Sequence, residues 1–134
     1  MQIVLDTNIL LVAISKKSLY NSIWQAFING KYKLIISEEI IHEYEEILIQ
    51  YAAPGAAYLV NEIFAESPDI IYKRIYYNWN IITIDPDDNK FFDAAVAGNA
   101  DYLVTNDKHF NEAFKIEFPK VNIINADTFM GLLF

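Results

Sequence analysis

Five short β-prone apolar runs are spaced along the chain, around Val4 and Leu5 and in KLIIS, IITI, DYLVT and VNII, with segments of helical spacing between them. Strands that alternate with helices predict parallel pairing through right-handed crossovers. The expected fold class is α/β, a doubly wound parallel sheet of about five strands with helices on both faces. The first helix is expected to run from Ile9 through Ile23, Trp24 and Phe27 to Asn29-Gly30. A second, SEEIIHEYEEILIQY, opens on a serine cap with Glu38 and Glu39 in its first turn, and gathers Ile40, Ile41, Tyr44, Ile47, Leu48 and Tyr51 on one face. A third follows Pro54-Gly55, and DPDDNKFFDAAVAGNA predicts a capped helix whose Phe91, Phe92, Ala95 and Val96 face the core. DIIYKRIYYNWN is ambiguous between helix and strand, and NDKHFNEAF reads as a short helix or turn.

A chain of 134 residues suits one domain over residues 1–134, and a composition 54% hydrophobic and 15% aromatic with 4 Gly and 4 Pro excludes disorder. There are no cysteines, so disulfides and thiolate metal sites are excluded and the cytoplasm is the expected location. The longest unbroken apolar run, residues 9–14, is far short of the roughly 20 residues that span a bilayer, so no membrane partner is expected. A net charge of −8 argues against a broad basic footprint for nucleic acid. Any polyanionic ligand then needs positive charge from a divalent metal or a basic partner chain.

Within QIVLDTNILLVAI, Asp6 interrupts an otherwise apolar run, where an unpaired carboxylate is costly. Ligand sites of open parallel sheets lie beyond the carboxyl ends of the strands. Asp6 follows the first expected strand, Asp85, Asp87 and Asp88 follow the third, and Asp107 follows the fourth, so all can reach one sheet edge. Asp88 would also stand at a helix start, where the dipole favours negative charge. Helical phase puts Glu43 at the border of the second helix's apolar face, Glu45 at the opposite border and Glu46 further round. Clustered carboxylates are tolerated near neutral pH only with a cation among them or with some members protonated, and two isolated histidines leave hard oxygens as the available ligands. That donor set selects Mg²⁺ or Mn²⁺ and suits phosphodiester chemistry.

Taken in order, LDTN, SEEIIHE and DPDDNKFFDAAVAGNADYLVTND resemble the PIN-domain family and, within it, the VapC-like toxin ribonucleases of type II toxin–antitoxin systems. The resemblance covers nearly the whole chain and implies a PIN-like three-layer α/β/α fold. By position, the family's catalytic and metal-binding acids fall on Asp6, Glu43, Asp88 and Asp107, with Asp93 as a possible further acid. Asp93 stands five residues from Asp88 along a helix, hence on a different face. The resemblance also implies supporting polar roles for Asn8 and Thr105, toward the carboxylates or the scissile phosphate. The implied activity is a Mg²⁺- or Mn²⁺-dependent endoribonuclease, usually a homodimer, acting on RNA and silenced by a cognate antitoxin protein.

Simpler readings stand beside these. His42 points away from its helix's apolar face, and KHF around His109 reads as a turn with Phe110 anchoring the core, so neither histidine is expected to bind metal. Lys90 and Lys108 are the lysines to test for phosphate contact. IYYNWN offers rings for base stacking, but core or subunit contacts are the expected use, and the closing FMGLLF suits a docked terminus, an interface or a plain core strand or helix. Two other functions are compatible with the acids: an aspartyl-type phosphohydrolase, which usually wants a second acid where this chain has Asn8, and a non-catalytic metal- or RNA-binding α/β module.

Overall fold

The computed structural model describes residues 1–134. Five strands, β1 (Gln2–Leu5), β2 (Lys33–Ile36), β3 (Ile70–Tyr72), β4 (Tyr102–Val104) and β5 (Ile123–Ile124), form one parallel sheet in the order β3-β2-β1-β4-β5. Ile3 pairs with Leu34 on one side and Tyr102 on the other, and Leu5 pairs with Val104. The central strands read as unbroken apolar runs because both faces are covered: Ile3, Val4, Leu34, Ile35, Leu103 and Val104 are fully buried.

Seven helices supply the cover: α1 (Thr7–Ala13), α2 (Asn21–Ile28), α3 (Glu38–Tyr51), α4 (Ala56–Glu66), α5 (Asn89–Ala97), α6 (Asn111–Phe114) and α7 (Ala126–Leu133). Short 3-10 turns occupy Pro86–Asp88 and Lys108–Phe110. The expected cap of α3 is present, with Ser37 Oγ accepting from the Ile40 amide at 3.3 Å and Glu38 and Glu39 in the first turn. The Tyr44 hydroxyl of α3 donates to the Leu5 carbonyl, which fixes this helix against the end of β1. The chain steps outward from β1 to β2 and β3, then crosses back to β4 and β5. With right-handed crossovers, this reversal places α1 to α4 on one face and α5 and α6 on the other. The strand order reverses between β1 and β4, which is the topological switch point where α/β sheets open a crevice. No helix is long and apolar enough to cross a membrane.

Two expectations are corrected. IITI at 81–84 is not a strand; the third strand is Ile70–Tyr72, inside the stretch that was ambiguous. Only Ile82 of the four is deeply buried, and Ile84 is 66% exposed. Its backbone is satisfied by side chains instead of a ladder: Asn89 Oδ1 accepts from the Ile82 amide at 2.8 Å, Asn89 Nδ2 donates to the Ile82 carbonyl at 2.9 Å, and Glu112 accepts from the amides of Thr83 and Ile84. The single long helix expected after β1 is two, because the chain turns at residues 14–20. Asn21 Nδ2 closes that turn on the Ala13 carbonyl at 2.9 Å. The closing segment is a helix, α7, whose Asn125 side chain accepts from the Thr128 amide at 2.8 Å.

Gly98 caps the C-terminus of α5 and lies against Ile35 of β2. A Cβ there would stand 2.8 Å from Ile35 Cδ1 and 2.9 Å from Ile35 Cγ2, and Ile35 is fully buried. Gly98→Ala is expected to lower the unfolding free energy by about 1–3 kcal/mol by overpacking. In urea denaturation the penalty should shrink when Ile35→Ala is combined with it, since the two changes share one space.

Candidate functional site

The carboxyl ends of β1 and β4 lie side by side, and the residues that follow them are bonded across the gap. Asp6, 5% exposed at the N-cap of α1, makes no capping bond with its side chain. Its amide donates to the Val104 carbonyl at 3.0 Å, and its Oδ2 accepts from the Thr105 hydroxyl at 2.7 Å. The same Thr105 oxygen accepts from the Asp107 amide at 3.0 Å, so one hydroxyl bridges the two acids. Asp107 Oδ1 in turn caps the 3-10 turn by accepting from the His109 amide at 2.9 Å.

Glu43 reaches the site from α3. Its Oε2 accepts from the Thr7 hydroxyl, and its Oε1 pairs with Lys90 Nζ of α5 at 2.7 Å. Glu45 is exposed and accepts from Asn61 instead. Asp88, at the N-cap of α5, is 9% exposed and its side chain makes no capping bond. Its Oδ2 lacks any hydrogen-bond partner, as does the buried Nδ1 of His109. That nitrogen lies 3.4 Å from Asp107 Oδ1, 3.6 Å from Asp88 Oδ2 and 3.8 Å from Asp85 Oδ2.

Electrostatics tie these acids together. Burial raises the Asp6 carboxyl from 3.8 to about 6; the Thr105 hydrogen bond opposes this, and the charges of Asp107 and Glu43 add to it. Burial also raises Asp88 from 3.8 to about 7, reinforced by Asp85, Asp6 and Asp107 and partly offset by His109. Asp6 thus feels the charges of Asp107 and Glu43, and Asp88 those of Asp85, Asp6 and Asp107. Asp93 stands apart. It is buried on α5, where its Oδ1 accepts from the Trp79 amide at 3.1 Å, and burial raises its carboxyl, with Glu39 the charge that adds to the effect.

Of the two supporting polar residues, Thr105 holds a carboxylate, whereas Asn8 is exposed and its side chain makes no hydrogen bond to one. Thr7 makes the carboxylate contact from that tripeptide. Lys90 is taken up by Glu43, and Lys108 is exposed. His109 is the residue that sequence reasoning undervalued. Its turn and the buried Phe110 anchor are as expected, but the ring is not isolated: a 3-10 turn starting at Asp107 folds the residue two positions later back over that acid. The Asp-Lys-His spacing was the available signal.

Asp88 Oδ2 and His109 Nδ1 are sheltered donors without partners, and one donor atom each from Asp85, Asp88 and His109 falls within 4.8 Å of the others, a donor set that fits a divalent cation. Two predictions follow from this chemistry. Between the unfolded value near 3.8 and folded values of about 6 and 7, the folded protein holds more protons than the unfolded chain. The contribution of Asp6 and Asp88 to stability is therefore fully present below pH 3.8 and is lost as pH rises through 6 and 7. Thermal melts of metal-free protein should fall between about pH 5 and pH 8, less steeply in Asp88→Asn, and added Mg²⁺ should stabilise more at the higher pH. Separately, Lys90→Met is expected to cost about 1–3 kcal/mol in urea denaturation by leaving Glu43 short of a charged partner, with Lys90→Arg retaining most of the stability.

The model of the PIN domain family matches residues 2–109. Among solved structures, a chain in the crystal structure of VapBC2 from Rickettsia felis bound to a DNA fragment from their promoter superposes with a TM-score of 0.62. The two are 24% identical over 93% of this chain and 98% of that one, a likeness of fold. No curated protein matches the sequence. The sheet order, the acids at the switch point and the family match over most of the length agree: this chain belongs to the PIN domain family.

Proposed function

We propose that the protein is a Mg²⁺- or Mn²⁺-dependent endoribonuclease, the toxin of a type II toxin–antitoxin system, acting in the cytoplasm as a homodimer and silenced by a cognate antitoxin. The observation that carries this reading is the convergence of Asp6, Asp88 and Asp107 at the switch point, with two of the three held well above the ordinary carboxylate range by burial and each other's charge. Such a concentration of oxygen donors is matched to a hard divalent cation. Membership of the PIN domain family and the likeness to a chain of a VapBC complex support the toxin assignment.

In this reading Asp6, Glu43, Asp88 and Asp107 are the catalytic set, grouped around the cation. When bound, the cation supplies Lewis acidity and offsets charge on the attacked phosphodiester. Thr105 holds the Asp6 carboxylate and the Asp107 backbone, and the His109 amide holds the Asp107 carboxylate, which limits reorientation of both acids as charge develops on the substrate. Thr7 and Lys90 occupy both oxygens of Glu43, which makes this acid a holder of the Lys90 ammonium at the site's border. That ammonium is the basic group this reading offers to a substrate phosphate. Asn8, exposed on the first turn of α1, is available to the same phosphate.

The test is cleavage of defined RNAs by the purified chain with Mn²⁺, Mg²⁺ or chelator, wild type beside Asp6→Asn. Cleavage should require the metal and fall at least about a hundredfold in the variant. Undiminished cleavage by Asp6→Asn, or metal binding with no cleavage of any RNA, would overturn the nuclease reading.

A further inference from the structure

The chain has two histidines, and only one of them faces acids from several elements. His42 lies exposed on α3 beside Glu38. His109 is held in its turn by the bond from its own amide to Asp107 Oδ1, so the backbone that positions Asp107 also positions the ring. Its Nδ1 meets carboxylate oxygens of Asp107, Asp88 and Asp85 at 3.4, 3.6 and 3.8 Å. All three exceed the roughly 2.7–3.2 Å of an N–H···O bond. They match the separation of about 3–4 Å between donors that share one ion at about 2.1 Å. Asp88, with its side chain 13% exposed, turns a buried, unpartnered Oδ2 into the same space, and the Nδ1 atom of His109 is likewise sheltered and unpartnered. Two buried polar atoms that face each other without bonding are expensive unless something sits between them.

We propose that Asp85, Asp88 and His109 form a mixed oxygen and nitrogen seat for a divalent transition ion, so that this chain takes Mn²⁺ in preference to Mg²⁺. The inference rests on the metal-dependent reading above and adds the donor and the class of ion. Mg²⁺ dehydrates reluctantly and keeps to oxygen donors, whereas an imidazole nitrogen strengthens binding of first-row transition ions. Glu43 lies outside the seat, because Thr7 and Lys90 already occupy its two oxygens. The rival account makes His109 an internal cation that neutralises the acids with no metal contact.

Pulsed electron paramagnetic resonance of the intact chain loaded with Mn²⁺, without RNA, separates the two. Modulation from a directly bound ¹⁴N should be present in wild type, convert to the ¹⁵N pattern after ¹⁵N-histidine labelling, and persist in His42→Gln. His109→Gln should abolish it and weaken Mn²⁺ binding about tenfold or more, while Mg²⁺ binding, measured by competition, changes by less than about threefold. Bound Mn²⁺ with no histidine coupling in wild type overturns the seat and leaves the nuclease reading intact; failure to bind any divalent ion at millimolar concentration overturns both. The wild-type spectrum decides the question whether or not the variant folds.

Discussion

The hydroxyl of Thr105 donates to Asp6 and accepts from the Asp107 amide, and this one oxygen joins the ends of β1 and β4 where the direction of the sheet reverses. Everything below it is apolar and close-packed, with Ile3, Val4, Leu103 and Val104 fully buried. A carboxylate one residue beyond such strands keeps its place only if its oxygens are satisfied locally, since the neighbouring core hydroxyl of Tyr44 is already spent on the Leu5 carbonyl. Thr105 supplies that donor to Asp6, and the backbone amide of Asp6 is tied to Val104 in the same step. The position of the acid is therefore a consequence of strand pairing, not of loop conformation, which gives a functional group the rigidity of the sheet.

The parallel sheet, four of its five strands and the capped helix α3 were legible because they depend on local patterns: apolar runs of strand length, a Ser cap three residues before a helical amide, and a 3.6-residue apolar stripe. The third strand was misplaced for a reason visible in the structure. IITI and DIIY have similar β propensity, and what decides between them is which backbone finds a partner. Leu34, Ile35 and Ile36 pair with Ile70, Ile71 and Tyr72, while the amides of 82–84 are met by Asn89 and Glu112, a tertiary arrangement with no sequence signature. The first helix was overrun because apolar spacing continues in phase past Ala13, and the turn at 14–20 depends on Asn21 reaching back to one carbonyl.

For the site, topology was the readable part. Strand ends at one edge bring Asp6 and Asp107 together whatever their side chains do, and the N-cap position aims Asp88 the same way. Roles that depend on side-chain direction were less readable. Thr7 takes the contact with Glu43 while its neighbour Asn8 faces solvent, a difference of 100° on the first turn of α1. Asp93 shares a helix with Asp88, yet it is absorbed by the backbone of Trp79. His109 acquires its position from a 3-10 turn three residues long, below the length at which periodicity carries information.

The distribution of basic groups around the acids bears on how a chain of net charge −8 would meet a polyanion. Two basic side chains face the cluster from different elements: Lys90 from α5, paired with Glu43, and His109 from the turn after β4, near Asp85, Asp88 and Asp107. Lys90 answers one carboxylate and leaves Asp6, Asp88 and Asp107 without a lysine or arginine partner. At neutral pH an approaching phosphodiester would meet that uncompensated charge at a few ångströms, where repulsion is poorly screened. Proton uptake by Asp6 and Asp88 relieves the repulsion but removes the donors. A divalent cation relieves it while keeping them ionised, so in the proposed reaction metal loading precedes RNA binding, and the acidic composition acts as an ordering device instead of an obstacle.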